Sequence, residues 1–127
     1  MPLNKRHESI EDYLETILEL SKVNPIVRSI DIAQAMNYSK PSISIAMKKL
    51  KEKHYIIIDD NGYITLTEMG LTVAKSVLEK HEIISKVLIK LGVNEEVAYK
   101  DACRIEHDLS DESFQKIKEF YLKNIKD

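Results

Sequence analysis

The chain contains 127 residues with a formal net charge of −2; 43% of its residues are hydrophobic and 31% are charged, which excludes global disorder and two large independent domains. Its three glycines and three prolines supply too few turns for an all-β sandwich, and its one cysteine excludes an internal disulfide. No apolar run is long enough to span a membrane and residues 1–10 are too charged for a signal peptide, so we expect a soluble, cytoplasmic protein.

The charge is unevenly distributed along the chain. Residues 25–54 carry six basic and two acidic side chains, a local charge of +4, which leaves −6 for the remainder. A basic stripe favours contact with nucleic-acid phosphates, but solvated helix faces would show the same pattern. Composition alone leaves both interpretations open.

Three helices are predicted in the first half of the chain. Apolar residues at helical spacing predict the first over Ser9–Leu20. Ser29 is predicted to cap a short second helix. Ser39 is predicted to cap the third, whose first turn tolerates Pro41 because that position needs no N–H donor. The apolar positions expected to face the core from the second and third helices are Ile30, Ala33, Met36, Ile43, Met47 and Leu50.

Two β-rich runs follow the third helix. They are Tyr55–Ile58 and Tyr63–Leu66, and they surround an Asn61-Gly62 turn, which is typical of a hairpin. Two helices joined by a tight turn, then a basic helix and a hairpin, are the element order of a winged helix-turn-helix.

The second half of the chain is predicted to be entirely helical. A long helix runs from a Thr67 cap towards Gly92, and it is too apolar to be a free surface helix. Asn94 is predicted to cap a helix that ends near Asp108, and Ser110 opens the last helix. We therefore expect a mainly α fold with a winged helix-turn-helix domain over residues 1–70 and an all-helical domain over residues 71–127. The apolar side of the last helix is predicted to comprise Phe114, Ile117, Phe120 and Tyr121.

Residue types that bind metals occur at three places: the i, i+3 pair Asp12 and Glu15, the lone His81, and the i, i+3, i+4 set Cys103, Glu106 and His107. Residues at these spacings share one side of a helix, so their ligand atoms converge. Each group could also have a purely structural role without a metal, because such a histidine or cysteine is often a core residue and such carboxylates are often solvated.

Four segments of the chain carry a family resemblance: residues 10–17, residues 31–50, the Lys80-His81 pair and residues 101–107, the last being the most specific. Together they resemble the metal-dependent repressors related to the diphtheria toxin repressor and the manganese transport regulator. The resemblance covers nearly the whole chain. It implies a DNA-binding first half and a helical second half that forms a two-fold dimer and completes a metal site. Because the chain stops at Asp127, it is similar to the short manganese-regulator branch, without the C-terminal barrel-like domain of the toxin-repressor branch.

The resemblance implies a divalent metal site whose ligands are Asp12, Glu15, His81, Cys103, Glu106 and His107. Cys103 matches the toxin-repressor branch, where the manganese branch has Glu, whereas Asp12 matches the manganese branch, where the other has Met. Carboxylates and imidazoles suit Mn(II), and a thiolate favours Fe(II) and the later metals. We expect Mn(II), with Fe(II) as the alternative.

The N-terminal end of the third helix is expected to enter the major groove of DNA. Its serine hydroxyls specify bases weakly, and no Arg, Asn or Gln lies there to make a bidentate base contact. Basic side chains are expected on phosphates, with a solvated face as the alternative, while Asp59 and Asp60 would limit how deeply the hairpin docks. The predicted DNA-binding residues are Arg28, Ser39, Lys40, Pro41, Ser42, Ser44, Lys48 and Lys49.

These features together predict a homodimeric repressor that binds double-stranded operator DNA when Mn(II) or Fe(II) is bound and controls metal-uptake genes. One alternative is a winged-helix regulator that responds to another signal, such as oxidation of Cys103. A metal-dependent hydrolase is the other, and it is disfavoured because the sequence has no glycine loop that would cradle phosphate. We expect the protein not to be an enzyme.

Overall fold

The computed structural model describes residues 10–125. Within that range the chain forms six α-helices and one two-stranded hairpin, which confirms the predicted mainly α fold. None of these helices is both long and apolar enough to cross a membrane. The chain divides into two compact units between Lys75 and Ser76. The elements in chain order are α1 (Ile10–Val23), α2 (Ser29–Met36), α3 (Lys40–Glu52), β1 (Ile56–Ile58), β2 (Ile64–Leu66), α4 (Glu68–Leu91), α5 (Glu95–Asp108) and α6 (Asp111–Asn124).

The N-terminal unit packs three helices against the hairpin. α1 contacts α2 and β2, while α3 contacts α2 and β1. This is the winged helix-turn-helix that the element order predicts, although Ser9, the predicted first residue of the first helix, lies outside the described residues. The largest fully buried apolar side chains of this unit are Leu14, Ile17, Ile32, Ile43, Met47, Leu50 and Ile56.

The start of α2 differs from the prediction by one residue. Arg28 is the N-cap in place of Ser29, and its N–H donates to the Asp31 carboxylate at 2.9 Å. The cap bond is therefore supplied by an acidic residue inside the helix, as in the second half of a capping box. Ile30, predicted to face the core, is instead exposed, and Ile32 is buried in its place.

A tight turn connects α2 to α3, and α3 begins after it at the predicted position. Asn37 has a left-handed backbone (φ 58°), which asparagine tolerates better than most residues. Ser39 caps α3 as predicted, with its Oγ accepting a hydrogen bond from the Ser42 N–H at 3.3 Å.

The β1–β2 hairpin, called the wing below, is antiparallel with Ile57 opposite Thr65. The Gly62 N–H donates to the Asp59 carbonyl at 2.9 Å, and the Asp59 N–H donates to the Tyr63 carbonyl at 3.0 Å. Gly62 has φ 80°, as the last residue of such a three-residue loop requires. The Asp59 carboxylate accepts hydrogen bonds from two loop amides, so this side chain has a structural role in the wing.

The first turn of α4 is hydrogen-bonded to the segment between α3 and β1. Thr67 caps the helix as predicted: its Oγ1 accepts from the Gly70 N–H at 3.1 Å and donates towards the carbonyls of His54 and Tyr55 at 2.7 and 3.0 Å. The backbone at Gly70 approaches so closely that an added Cβ would overlap the Tyr55 carbonyl oxygen. Glycine is therefore required at this position for steric reasons.

The described part of the C-terminal unit comprises α4 from Ser76 onwards together with α5 and α6. Its apolar cluster is built on Ile83, Phe114 and Tyr121, with Ile117 packed against them. Phe114, Ile117 and Tyr121 stand at i, i+3 and i+7 and form the buried stripe of α6. Phe120, which was predicted to share that stripe, is 55% exposed because it lies about 100° around the helix from Tyr121.

Candidate metal centre

The helix α5 begins where its sequence predicts and carries three of the predicted ligands. The Asn94 Oδ1 accepts hydrogen bonds from two first-turn N–H groups, at 2.9 and 3.3 Å. Helical spacing from this cap places Cys103, Glu106 and His107 one turn or less apart. Glu106 is only 2% exposed, although glutamate is rarely buried without a partner for its charge.

The Glu106 carboxylate lies between two imidazoles. Its Oε2 is 3.6 Å from Nδ1 of His81 on α4, and its Oε1 is 3.6 Å from Nε2 of His107. The side chains of Glu106 and His107 are 0% and 9% exposed, respectively. A carboxylate in such surroundings needs a nearby positive charge, either on protonated imidazoles or on a cation that the three side chains bind together. Carboxylate oxygen and imidazole nitrogen are donors that suit divalent first-row metals.

Two further side chains of the C-terminal unit surround this cluster. Cys103 is half-buried, and its Sγ lies within 4.8 Å of a Glu106 carboxylate oxygen. The Tyr99 ring stacks on the His81 imidazole, with centroids 6.1 Å apart and planes inclined by 23°. Sequence reasoning did not single out Tyr99, although it precedes Cys103 by one turn and so shares its side of α5.

The backbone beneath His81 is also restrained. The Ser85 Oγ, which is buried, donates to the His81 carbonyl at 2.7 Å. This hydroxyl therefore makes its hydrogen bonds within α4, to the carbonyls of His81 and Glu82.

The remaining two predicted ligands lie on α1 in the N-terminal unit. Asp12 is 7% exposed, and its backbone carbonyl accepts a hydrogen bond from the Thr16 hydroxyl at 2.9 Å. Glu15, one turn later, is half-buried. Burial of an aspartate side chain in the first turn of a helix indicates a role beyond solubility. The structure thus groups the predicted ligands within each unit as Asp12 with Glu15, and as His81, Cys103, Glu106 and His107.

The predicted DNA-contacting residues of α3 are all exposed. Ser39 and Ser42 are hydrogen-bonded to each other, with the Ser39 hydroxyl donating to the Ser42 hydroxyl at 2.9 Å. Both therefore present oxygen atoms at the N-terminal end of the helix, where a major-groove contact is made in helix-turn-helix proteins. The exposed predicted residues on α3 and at its cap are Ser39, Lys40, Pro41, Ser42, Ser44, Lys48 and Lys49.

Arg28, the other predicted phosphate contact, is connected to the wing. Its Nη2 donates to the Tyr63 hydroxyl at 3.1 Å, and its guanidinium carbon lies 4.8 Å from the centroid of the Tyr63 ring. The remaining N–H groups of the guanidinium stay available to an anion. Arg28 therefore joins the start of α2 to the wing, a contact between distant residues that spacing does not predict.

Comparison with known proteins identifies both halves of the chain. Residues 6–64 match the N-terminal DNA binding domain of the iron dependent repressors, and residues 67–126 match the metal binding and dimerisation domain of the same proteins.

Individual relatives agree with this match. The chain is 37% identical over 115 residues to the uncharacterized HTH-type transcriptional regulator MJ0568 of Methanocaldococcus jannaschii, covering 89% of this chain and 92% of that protein. It is 34% identical over 109 residues to the HTH-type transcriptional regulator MntR of Bacillus subtilis, covering 86% and 77%. The structure of the manganese regulator SloR matches this chain with a TM-score of 0.79 and 30% sequence identity. The match covers 90% of this chain and 54% of the SloR chain. These relatives are transcriptional regulators and not enzymes. The chain belongs to the iron dependent repressor family.

Proposed function

We propose that this member of the iron dependent repressor family is a homodimer that binds double-stranded operator DNA when Mn(II) or Fe(II) is bound. The observation that carries the proposal is the buried Glu106 carboxylate between two imidazoles, within the part of the chain that matches a metal binding and dimerisation domain. We place its action in the cytoplasm, on genes for metal uptake, because a repressor that senses metal supply must meet both the ion and the DNA.

The proposed metal ligands come from three helices: Asp12, Glu15, His81, Cys103, Glu106 and His107. The buried carboxylates of Asp12 in the N-terminal unit and Glu106 in the C-terminal unit, and the imidazole of His107, are donor types that suit a divalent ion. A bound ion would supply the positive charge that these carboxylates need in a low-dielectric environment. Tyr99, by stacking on His81, orients that imidazole.

The distribution of these ligands along the sequence suggests how metal would control DNA binding. Asp12 and Glu15 belong to the part that matches a DNA binding domain, and the other proposed ligands belong to the part that matches a metal binding domain. Without a cation, carboxylates brought together repel one another. Metal binding would then favour one arrangement of the DNA-binding parts over others. The size of this shift in population would depend on how much more tightly the metal binds the favoured arrangement.

The proposed ligands include donor atoms with opposite preferences for Mn(II) and Fe(II). The carboxylates of Asp12 and Glu15 are hard ligands that suit Mn(II), whereas the Cys103 thiolate favours Fe(II). SloR, at 30% identity, is described as a manganese regulator. We therefore propose Mn(II) as the metal and Fe(II) as the alternative.

Exposed apolar side chains support the proposed homodimer. In the described part of the C-terminal unit, five large apolar side chains are between 46% and 76% exposed. A two-fold interface would cover such side chains on both copies. They are Leu91, Val97, Tyr99, Phe120 and Leu122.

The proposed function is tested by DNA-binding anisotropy with a metal panel. A duplex selected from a random library in the presence of Mn(II) serves as the probe, and affinity is compared in chelator and in saturating Mn(II), Fe(II), Co(II) and Zn(II) under anaerobic conditions. We expect at least a tenfold gain with Mn(II) or Fe(II) and a dimer by sedimentation. Equal affinity in chelator and in metal would refute the metal switch. A metal-free protein whose DNA binding responds to peroxide would instead favour regulation through Cys103 oxidation.

A further inference from the structure

The third helix carries an exposed isoleucine on the side opposite its core contacts. The buried stripe of α3 consists of Ile43, Met47 and Leu50. Successive helical residues differ by about 100°, so Ile45 lies about 160° around the helix from both Ile43 and Met47. Its side chain is 59% exposed. Ile45 therefore contributes nothing to the core stripe of α3.

The neighbours of Ile45 on this side are the residues proposed to contact DNA. Pro41 and Ser42 lie one turn towards the N-terminus of α3, and Lys48 and Lys49 lie one turn towards its C-terminus. Each is within about 60° of Ile45 around the helix axis, and all four are exposed. Ile45 is thus at the centre of the face that would enter the major groove.

Isolated exposed apolar residues are common and need no explanation, but the position of Ile45 gives it a defined partner. The C5-methyl group of thymine is the apolar group that base pairs present in the major groove. α3 contains no Arg, Asn or Gln that could read a base through two hydrogen bonds. Besides its lysines, this helix therefore offers only small hydroxyls and apolar contact for direct readout.

We propose that Ile45 is a specificity-determining residue that packs against the methyl group of one thymine in each operator half-site. The inference rests on the proposed function, since it requires that α3 enters the major groove. Ile45 then selects T over the other three bases, which lack the methyl group, while the flanking lysines bind phosphates without regard to sequence.

The test removes the methyl group and the isoleucine separately. In a duplex selected by the whole chain with Mn(II), each thymine is replaced singly by deoxyuridine, which lacks only the methyl group. We expect one thymine in each half-site to lose about fourfold in affinity, equivalent to ~0.8 kcal/mol for one buried methyl. Ile45→Ala should bind the thymine and deoxyuridine duplexes equally. Ile45→Val should keep part of the difference in affinity between the two duplexes. Lys48→Ala should lower the affinity for both duplexes and leave the ratio of the two affinities unchanged.

The possible outcomes separate this inference from the proposed function. If the wild-type chain binds its duplex with Mn(II) but no deoxyuridine substitution lowers affinity, Ile45 reads no methyl group and the inference is wrong. The same follows if Ile45→Ala retains the full penalty for deoxyuridine. If neither Mn(II) nor Fe(II) yields any selected duplex, the proposed function fails and the inference fails with it. Thermal unfolding of Ile45→Ala at the wild-type temperature confirms that the variant is folded.

Discussion

Replacing Glu106 with Gln tests the proposed metal site most directly, because it keeps the shape of the side chain and removes only its charge. The wild-type carboxylate is 2% exposed and lies 3.6 Å from an imidazole nitrogen on either side. A metal that binds only the folded protein stabilises it by ~2.7 kcal/mol when its concentration is 100 times the Kd. For a chain of this size, that free energy raises the Tm by about 10 °C.

We therefore expect Mn(II) to raise the Tm of the wild-type chain by about 10 °C and that of Glu106→Gln by about 2 °C or less, measured by thermal unfolding. In chelator the two proteins should unfold at similar temperatures, because Gln fills the same space and its amide avoids the cost of a buried charge. Glu82→Gln is the matched control, since it removes an exposed carboxylate adjacent to His81 and should respond to Mn(II) like wild type. An equal Mn(II) shift in Glu106→Gln and wild type would show that Glu106 is not a ligand.

Replacing Cys103 with Glu should raise the ratio of Mn(II) to Fe(II) activation of DNA binding, measured anaerobically on one duplex, because oxygen replaces a soft sulfur donor; an unchanged ratio would mean that Cys103 is not a ligand. Replacing Lys48 or Lys49 with Ala should weaken binding to all duplexes alike and lower the slope of log affinity against log salt by about 0.9 for each lost phosphate contact; a loss confined to one duplex would contradict this. Replacing Gly70 with Ala should lower the free energy of unfolding in urea by ~1–3 kcal/mol, because the new Cβ overlaps the Tyr55 carbonyl oxygen; unchanged stability would show that this contact relaxes freely.

The chain offers a control for each of these variants. Cys103→Ala removes the sulfur without adding oxygen, so it should weaken Fe(II) activation more than Mn(II) activation, without the gain in Mn(II) activation expected of Cys103→Glu. Lys90→Ala removes an exposed lysine near the end of α4 and should leave the salt slope unchanged. Lys75→Ala changes an exposed position of α4 and should leave the free energy of unfolding within ~0.5 kcal/mol of wild type.

Helix starts were predictable from sequence wherever a side-chain cap is present. Ser39, Thr67 and Asn94 each accept a hydrogen bond from an N–H two or three residues later, which is a local signal. Burial was less predictable at the edges of apolar stripes. Ile30 and Phe120 were predicted to be buried and are exposed, because burial is common for apolar residues but not obligatory.

The candidate site was predictable in part for a similar reason. Cys103, Glu106 and His107 lie in one helix, so spacing alone brings them together. Spacing cannot place His81 beside Glu106, because that pairing depends on how α4 packs against α5; it was expected only from the family resemblance. Ile45 was not among the predicted DNA-binding residues, although its position outside the core stripe of α3 can be read from the sequence.

The side chains of α3 are expected to discriminate weakly among bases, and this helps to explain why a metal switch would be effective in this protein. Serine hydroxyls and one aliphatic contact discriminate weakly among bases, so a single N-terminal unit would bind DNA mainly through phosphates. Two such units in a dimer gain affinity only when both can engage their half-sites at once, because the second contact then benefits from a high effective concentration. An α3 with strong bidentate contacts would bind DNA whether or not the two units were correctly spaced, which would leave the metal little to control. In the proposed dimer, weak recognition by each N-terminal unit would therefore make the spacing of the two units, and hence the occupancy of the proposed metal site, decisive for DNA affinity.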